Sequence, residues 1–496
     1  METVYSLKPL LAVLVSLVAV VFIVIPNQRP NVRESWTIMA ALAKFALVAS
    51  MLPIVLQGKS LAITLFSISP GISLALKVDS LGIIFGLSAS FLWILTSLFS
   101  IGYVRGMSEH KQTRYFASFA ICLSATMGIA FAANLLTLVI FYEILTIATY
   151  PLVLHKETPE AIFGGRKYLV YLLTGGVFLI FALAFTYQLS GTVDFKAGGI
   201  LPAHVAKSSV IMLFTLFLLS FGVKSAIMPM HSWLPTAMVA PTPVSALLHA
   251  VAVVKAGVFG FARAIGFIIG PAVFNESGAA SFLAALAAFT ILAASVIALR
   301  QDNLKARLAY STVGHLSYIV LGTALFSPSA WIGALLHIVN HAMMKITLFF
   351  CAGAIHVKAH CENVSELNGL GRQMPITMAA FAIASVGLAG IPPVNGFISK
   401  WYLVQGSLDV GQMAFAITFL LSGLLNAGYL LSIVARAFFA PSDKFTKLGE
   451  ASPLMVVPLA ITAVLSLLMG LFPDRVPYFF QLASNVAQSV MGGGGP

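Results

Sequence analysis

Residues 221–257 read FGVKSAIMPMHSWLPTAMVAPTPVSALLHAVAVVKAG. Two lysines, Lys224 and Lys255, each stand inside an apolar run long enough to lie in a bilayer. Between them come Pro229, His231, Pro235, Pro241, Pro243 and His249. A charged side chain at membrane depth costs at least about 2.5–3.5 kcal/mol, so it marks a place where charge is held or moved. Proline lacks an N–H and clashes with the preceding turn, which predicts a broken or kinked helix beside Lys224. Unwound backbone at that depth is tolerated only against protein or a water-filled cavity. Broken helices of this kind recur at ion sites in transporters.

The surrounding composition fits. Of 496 residues, 59% are hydrophobic and 9% charged, with mean hydropathy +0.98. Soluble globular chains carry roughly 25% charge. Long apolar runs such as residues 10–25 show no alternation, which excludes a β-barrel and predicts an all-α polytopic membrane protein. A net charge of +12 would suggest a nucleic-acid partner in a soluble chain. Here the lysines and arginines sit in short loops between spans, so a nucleic-acid partner is not expected. Cys122, Cys351 and Cys361 form neither a CxxC nor a CxxxH spacing, so no disulfide framework or iron–sulfur site is predicted. The N-terminal apolar run lacks a small-residue cleavage site and reads as a first span, with no targeting peptide.

About fourteen spans are predicted, near 6–25, 36–57, 79–103, 115–133, 135–154, 167–190, 209–228, 242–268, 279–299, 306–326, 331–356, 377–403, 412–437 and 453–472. Connections are short, and the chain reads as one membrane domain. Loops after odd-numbered spans hold sixteen lysines and arginines, and the other side holds seven. By the positive-inside rule the odd loops are cytoplasmic and both termini lie outside.

Five basic residues remain within spans: Lys44, Lys224, Lys255, Lys345 and Lys400. Among the 16 acids only Glu143 falls at mid-span. Glu143, in NLLTLVIFYEILTIATYPL (134–152), is expected to pair with Lys224, since an isolated carboxylate in lipid would take up a proton. Lys255 is expected to be a buried, deprotonatable proton carrier; burial destabilises an ammonium relative to the neutral amine. His249 lies six positions before it, about 120° away on a regular helix, so the two need not touch. Span eleven carries HIVNHAMMK (337–345). His337, His341 and Lys345 at i, i+4 and i+8 share one face, and such a row is what proton hopping needs. Lys400 ends GLAGIPPVNGFISKW (387–401), whose glycines and prolines predict a second broken helix. Lys44 lacks such a setting and reads as structural or snorkelling.

Other chemistry is excluded. HIVNH has Ile338 where a zinc protease needs glutamate, and Gly58-Lys59-Ser60 has Pro53 at the place of a phosphate loop's first glycine. No metal site, redox cofactor site or other cofactor is predicted, so any electron chemistry belongs to partner chains. Whether the chain belongs to a translocating oxidoreductase is left open by these residues.

KSAIMPMHSWLPTAMVAPTPVSALLHAVAVVKAG (224–257) strongly resembles the signature of the proton-translocating antiporter-like subunits. These occur in respiratory complex I, membrane-bound hydrogenases and Mrp-type cation/proton antiporters. DNLKARLAYSTVGHLSYI (302–319), HAMMKITLFFCAGAI (341–355) and GIPPVNGFISKW (390–401) are similar to further blocks of that family, in the same order. The resemblance covers about residues 75–440. It implies two inverted five-helix repeats, here about 115–268 and 279–437, with broken helices seven and twelve. N-terminal helices (about 1–110) and a C-terminal helix and tail (453–496) flank them. It also implies Glu143 and Lys224 as a coupled pair, Lys255 as central carrier, the His337/His341/Lys345 region as relay, and Lys400 as terminal exchanging group.

Lys400 is a lysine where one complex I paralogue has glutamate, and the chain ends in GGGGP without the long lateral helix of the largest paralogue. Thr236 stands where the family usually has aspartate, and His315 where a Ser-Gln pair is common. The implied function is that of the proton-translocating D-type component, or the similar A-type core, of an Mrp-type Na⁺/H⁺ antiporter in a prokaryotic cell membrane. An ion-pumping component of a hydrogenase or complex I-like redox machine is the alternative. The expected partners are other membrane subunits, protons and Na⁺. A self-sufficient solute transporter is a third reading, for which no solute-binding signature is present.

Overall fold

The computed structural model describes residues 2–202, 204–475 and 478–492. Residues 493–496 of the terminal glycine run lie outside the described residues. The chain is mostly helical. Its principal helices are α1 (Lys8–Val24), α2 (Pro30–Ala49), α3 (Ser80–Gly106), α4 (Gln112–Ala130), α5 (Leu135–Val153), α6 (Pro159–Ser190), α7 (Lys207–Lys224) and α8 (Thr242–Ile269). These are followed by α9 (Ala279–Arg300), α10 (Leu304–Ala324), α11 (Pro328–Ala359), α12 (Pro375–Ala389), α13 (Gly396–Asp409), α14 (Met413–Phe439), α15 (Pro453–Leu471) and α16 (Phe479–Met491).

Among the described residues, ten helices are long and apolar enough to cross a membrane. Helix α1 and the α12–α13 pair are shorter, while α4 and α10 carry more polar side chains, and together these fill the fourteen expected span positions. The most apolar windows of α8 and α11 are 100% buried, against 33% for α6. Helices α8 and α11 therefore form the axis of the bundle. Outer helices turn exposed Val170, Phe181, Phe289 and Leu424 outward, as a lipid-facing surface requires.

Both predicted breaks are present and end in the same cap. Helix α7 stops at Lys224; Ile227 N–H donates to the Gly222 carbonyl and Ala226 N–H to that of Val223. Ala226 adopts φ +55°. Helix α12 stops likewise, with Ile391 N–H donating to Val386 and Gly390 N–H to Gly387, and Gly390 at φ +87°. This is the left-handed cap that satisfies the last carbonyls of a helix. Helix α8 departs from regular winding, because Leu247–Val251 is a π-helical turn. The 120° expected between His249 and Lys255 therefore does not apply.

The fold adds two elements that hydropathy does not show. Strands β2 (Ser60–Ser69) and β3 (Ile72–Val78) form a hairpin, and β1 (Thr3–Tyr5) pairs parallel to β2. The tail helix α16 buries Leu482, Ala483, Val486 and Ala487 against α3 and α11.

Asp79 follows the hairpin and caps α3, accepting from Gly82 N–H at 2.8 Å. Its carboxylate also receives both terminal nitrogens of buried Arg263, at 2.6 and 2.8 Å. A bidentate pair of this kind is the geometry in which a buried guanidinium is best compensated. Lys44 does not reach an interface. It is fully buried and donates to Ser16 Oγ (2.6 Å) and the Leu123 carbonyl (3.1 Å), bridging α1, α2 and α4.

Candidate functional site

Lys224, the last residue of α7, reaches α5. Its ammonium donates to the Tyr142 carbonyl at 2.6 Å and lies 3.1 Å from the centre of the Tyr142 ring. Glu143, the next residue, points elsewhere, and its carboxylate fills the space beside Gly176 of α6. Among the described residues Glu143 Oε1 has no hydrogen-bond partner, and no Glu143–Lys224 contact falls within 4.0 Å. The expected pair is therefore open in this structure. Successive residues on a helix point about 100° apart, so a lysine arriving on the Tyr142 side misses Glu143. Thr236, in the connection after α7, accepts from Lys167 Nζ at 3.1 Å, so a hydroxyl does there what a carboxylate could.

Lys255 lies on α8, and its Nζ is 2.9 Å from His341 Nδ1 on α11. When Lys255 is the donor, the neutral His341 ring holds its proton on Nε2. That nitrogen is buried without a partner among the described residues. It is the open end of the Lys255–His341 unit. His249 is also fully buried with both ring nitrogens unpartnered among the described residues, tilted against Phe349 at 4.7 Å.

Beyond His341 lies a second unit, centred on His315 of α10. Asn426 of α14 accepts from the Tyr429 hydroxyl (2.6 Å) and donates to the Leu388 carbonyl (3.2 Å), which fixes its amide orientation. Its Nδ2 then donates to His315 Nε2 at 3.1 Å. A neutral His315 must carry its proton on Nδ1 and donate it to His337 Nε2, 3.1 Å away. His337 in turn donates from Nδ1 to Ser399 Oγ (2.8 Å), which donates to the Gly396 carbonyl (3.2 Å). One amide thus sets both tautomers. The His315 and His341 rings are 5.4 Å apart, and those of His337 and His341 6.0 Å. Such gaps suit one bridging water or a side-chain rotation.

The outer members join the same network. Lys345 donates to Ser311 Oγ (2.7 Å) and the Leu308 carbonyl (3.2 Å), and Ser311 is bonded to Tyr429 at 2.9 Å. Lys400, on α13, donates to the Leu388 and Ala389 carbonyls at 2.6 and 3.1 Å. These are the carbonyls left open where α12 breaks, and the negative end of a helix favours a cation there. Lys255, His337, His341, Lys345 and Lys400 are thus gathered on one buried axis. Glu143 and Lys224 stand at its α5–α7 end. The sequence reading missed Ser311, Ser399, Asn426 and Tyr429, and noted His315 only as a departure from a pattern. Asn426 had a signal, with Ser422 and Tyr429 at i−4 and i+3 in an apolar span.

A bundle of membrane-crossing helices wrapped around buried lysines and histidines defines an integral membrane protein with an intramembrane polar axis. The chain belongs to the NADH:quinone oxidoreductase/Mrp antiporter transmembrane family, which it matches over residues 132–426. It is 31% identical over 421 residues to the N subunit of an NADH-quinone oxidoreductase from Desulforudis audaxviator, covering 80% of this chain and 81% of that one. It is 30% identical to the A/B subunit of a probable K⁺/H⁺ antiporter from Rhizobium meliloti, over 93% of this chain and 46% of that one. The A1 subunit of a Na⁺/H⁺ antiporter from Staphylococcus aureus is also 30% identical, over 81% and 53%. The chain thus spans about half the length of these antiporter proteins. Its fold matches a chain of the Mrp complex from Dietzia sp. with TM-score 0.86 at 20% identity, over 98% of both. It also matches a chain of the membrane-bound sulfane sulfur reductase, an archaeal respiratory membrane complex, with TM-score 0.88 at 23% identity, again over 98% of both.

Proposed function

We propose that this chain is the proton-translocating component of a multisubunit cation/proton antiporter of the Mrp type. The observation that carries the reading is the buried row Lys255–His341, His315–His337 and Lys400. In it a ring-to-ring gap separates His341 from His315, and the Leu388 carbonyl, shared by Asn426 and Lys400, stands between the histidines and Lys400. A proton taken up from the cytoplasmic side reaches Lys255 and His341, crosses to His315 and His337, and leaves by Lys400 to the outside. Lys224 controls the first step by moving between the Tyr142 carbonyl and Glu143. When it closes on Glu143, the charge near Lys255 changes and the proton affinity there changes with it. The open geometry between Glu143 and Lys224 is one of the two states this switch needs. Sodium and the companion membrane proteins belong to the same proposal, as does a cytoplasmic position for the loops after odd spans.

A second reading places the same pump module in a redox-driven complex. The observation in its favour is coverage: the quinone oxidoreductase relative is matched over 81% of its length, the antiporter relatives over about half. Gentle purification from native membranes with mass-spectrometric identification of companions separates the two. Small membrane proteins, together with Na⁺-dependent pH changes in vesicles, are expected for the antiporter. Iron–sulfur, nickel or flavin proteins would assign the chain to a redox machine, and full activity of the chain alone would overturn both readings.

A further inference from the structure

A second cluster of titratable groups lies apart from the axis, at the face carrying the loops after α3 and α5. Glu109 and His110 follow the end of α3, and His155 stands two residues beyond α5. His155 is fully buried, yet neither of its ring nitrogens has a hydrogen-bond partner among the described residues. Buried polar groups left unpaired are uncommon, and coordination of an ion is one standard cause.

The geometry around His155 fits an ion. Glu109 Oε2 is 3.6 Å from His155 Nε2, too far for a hydrogen bond. Two ligands each about 2.0–2.1 Å from one tetrahedral ion lie roughly 3.4 Å apart. His110 stacks on His155 with ring centres 5.0 Å apart and 26° between planes. One ligand atom from each of Glu109, His110 and His155 lies within 4.8 Å of the others. Lys111 and Arg114 are also nearby, but both are engaged by Glu157 at 2.7 Å. Glu157 offsets one of these two positive charges, while Glu109 keeps its carboxylate for the cluster. Glu157 itself comes within 3.7 Å of His110 Nε2.

We propose that Glu109, His110 and His155 form a binding site for one divalent transition-metal ion of the zinc class. Two imidazoles and one carboxylate select such an ion over the oxygen-seeking magnesium and calcium, and leave a fourth position for water. The ion would tie the end of α3 to the end of α5, the helix that carries Glu143. Sequence spacing could not reveal the site, because Glu109 and His110 meet His155 only in the folded chain.

The test uses the full chain, purified with its companion proteins and a tag free of histidine, stripped with chelator and titrated with Co²⁺. One Co²⁺ per chain should bind with visible absorption bands and be displaced by Zn²⁺. His110→Ala, at an exposed ring, and Glu109→Gln should each weaken binding at least about tenfold while the purified complex stays intact. Absence of stoichiometric Co²⁺ binding in the parent protein overturns the proposal. So does binding in either variant that equals that of the parent.

Discussion

Lys255 and His341 form a direct lysine–imidazole contact, and on the proposed path His315 is the next ring that a proton reaches. Replacing His315 by alanine removes the partner that holds His337 in one tautomer and widens the gap beyond His341. Proton transport in reconstituted vesicles should fall by about tenfold or more, the scale on which positioned proton-transfer groups act. His315→Gln, which keeps a donor and an acceptor, should lose less. Equal rates for parent and both variants would remove His315 from the path. Much of this level was legible in the sequence, because a lysine or histidine in an apolar run stands out and the i, i+4, i+8 spacing set the face of α11. The partners were not, since Ser399, His315 and Asn426 reach that face from three other helices. The Glu143–Lys224 pair is open, with Lys224 on the neighbouring Tyr142, because the rotation of α5 about its own axis is set by packing rather than by pattern.

At the scale of elements, the two broken helices are the fixed points. Proline content predicted both, but not that each would end in the same left-handed cap, nor that a π-helical turn would carry His249. The β2–β3 hairpin leaves no mark in hydropathy, although Pro70-Gly71 lies between two apolar runs. The break after α12 is tight. A Cβ on Gly396 would overlap the Gly387 carbonyl oxygen and come within 3.0 Å of Met344. Gly396→Ala should therefore destabilise the protein by about 1–3 kcal/mol, visible as a lower midpoint of thermal unfolding in detergent. An unchanged midpoint would show the break to be looser than described.

The loop between α11 and α12 should respond to pH. The amides of Asn363 and Glu362 both donate to Glu366 at 3.0 Å and hold its carboxyl below the usual carboxylate range. A depressed folded value means the cap contributes fully above the ordinary carboxyl range and is lost as pH falls through the folded value. Hydrogen exchange at Glu362 and Asn363, corrected for the intrinsic rate, should lose protection on acidification. In Glu366→Gln that pH dependence should vanish. A flat profile in the parent would contradict the capping role.

At the scale of the whole molecule, charge placement and lipid exposure divide the chain cleanly. The outer helices turn apolar side chains outward, while the apolar windows of α8 and α11 are enclosed. These two helices carry Lys255, His337, His341 and Lys345, which His315 and Lys400 join from α10 and α13. Hydropathy made that division legible in outline, as fourteen spans with five lysines inside them. On the proposed path protons cross this bundle through Lys255. The direct measurement is proton uptake by vesicles containing the purified complex, parent against Lys255→Ala, with assembly checked by gel filtration. The variant should assemble normally and lose transport. Transport at the parent rate in an assembled Lys255→Ala complex would take Lys255 out of the path.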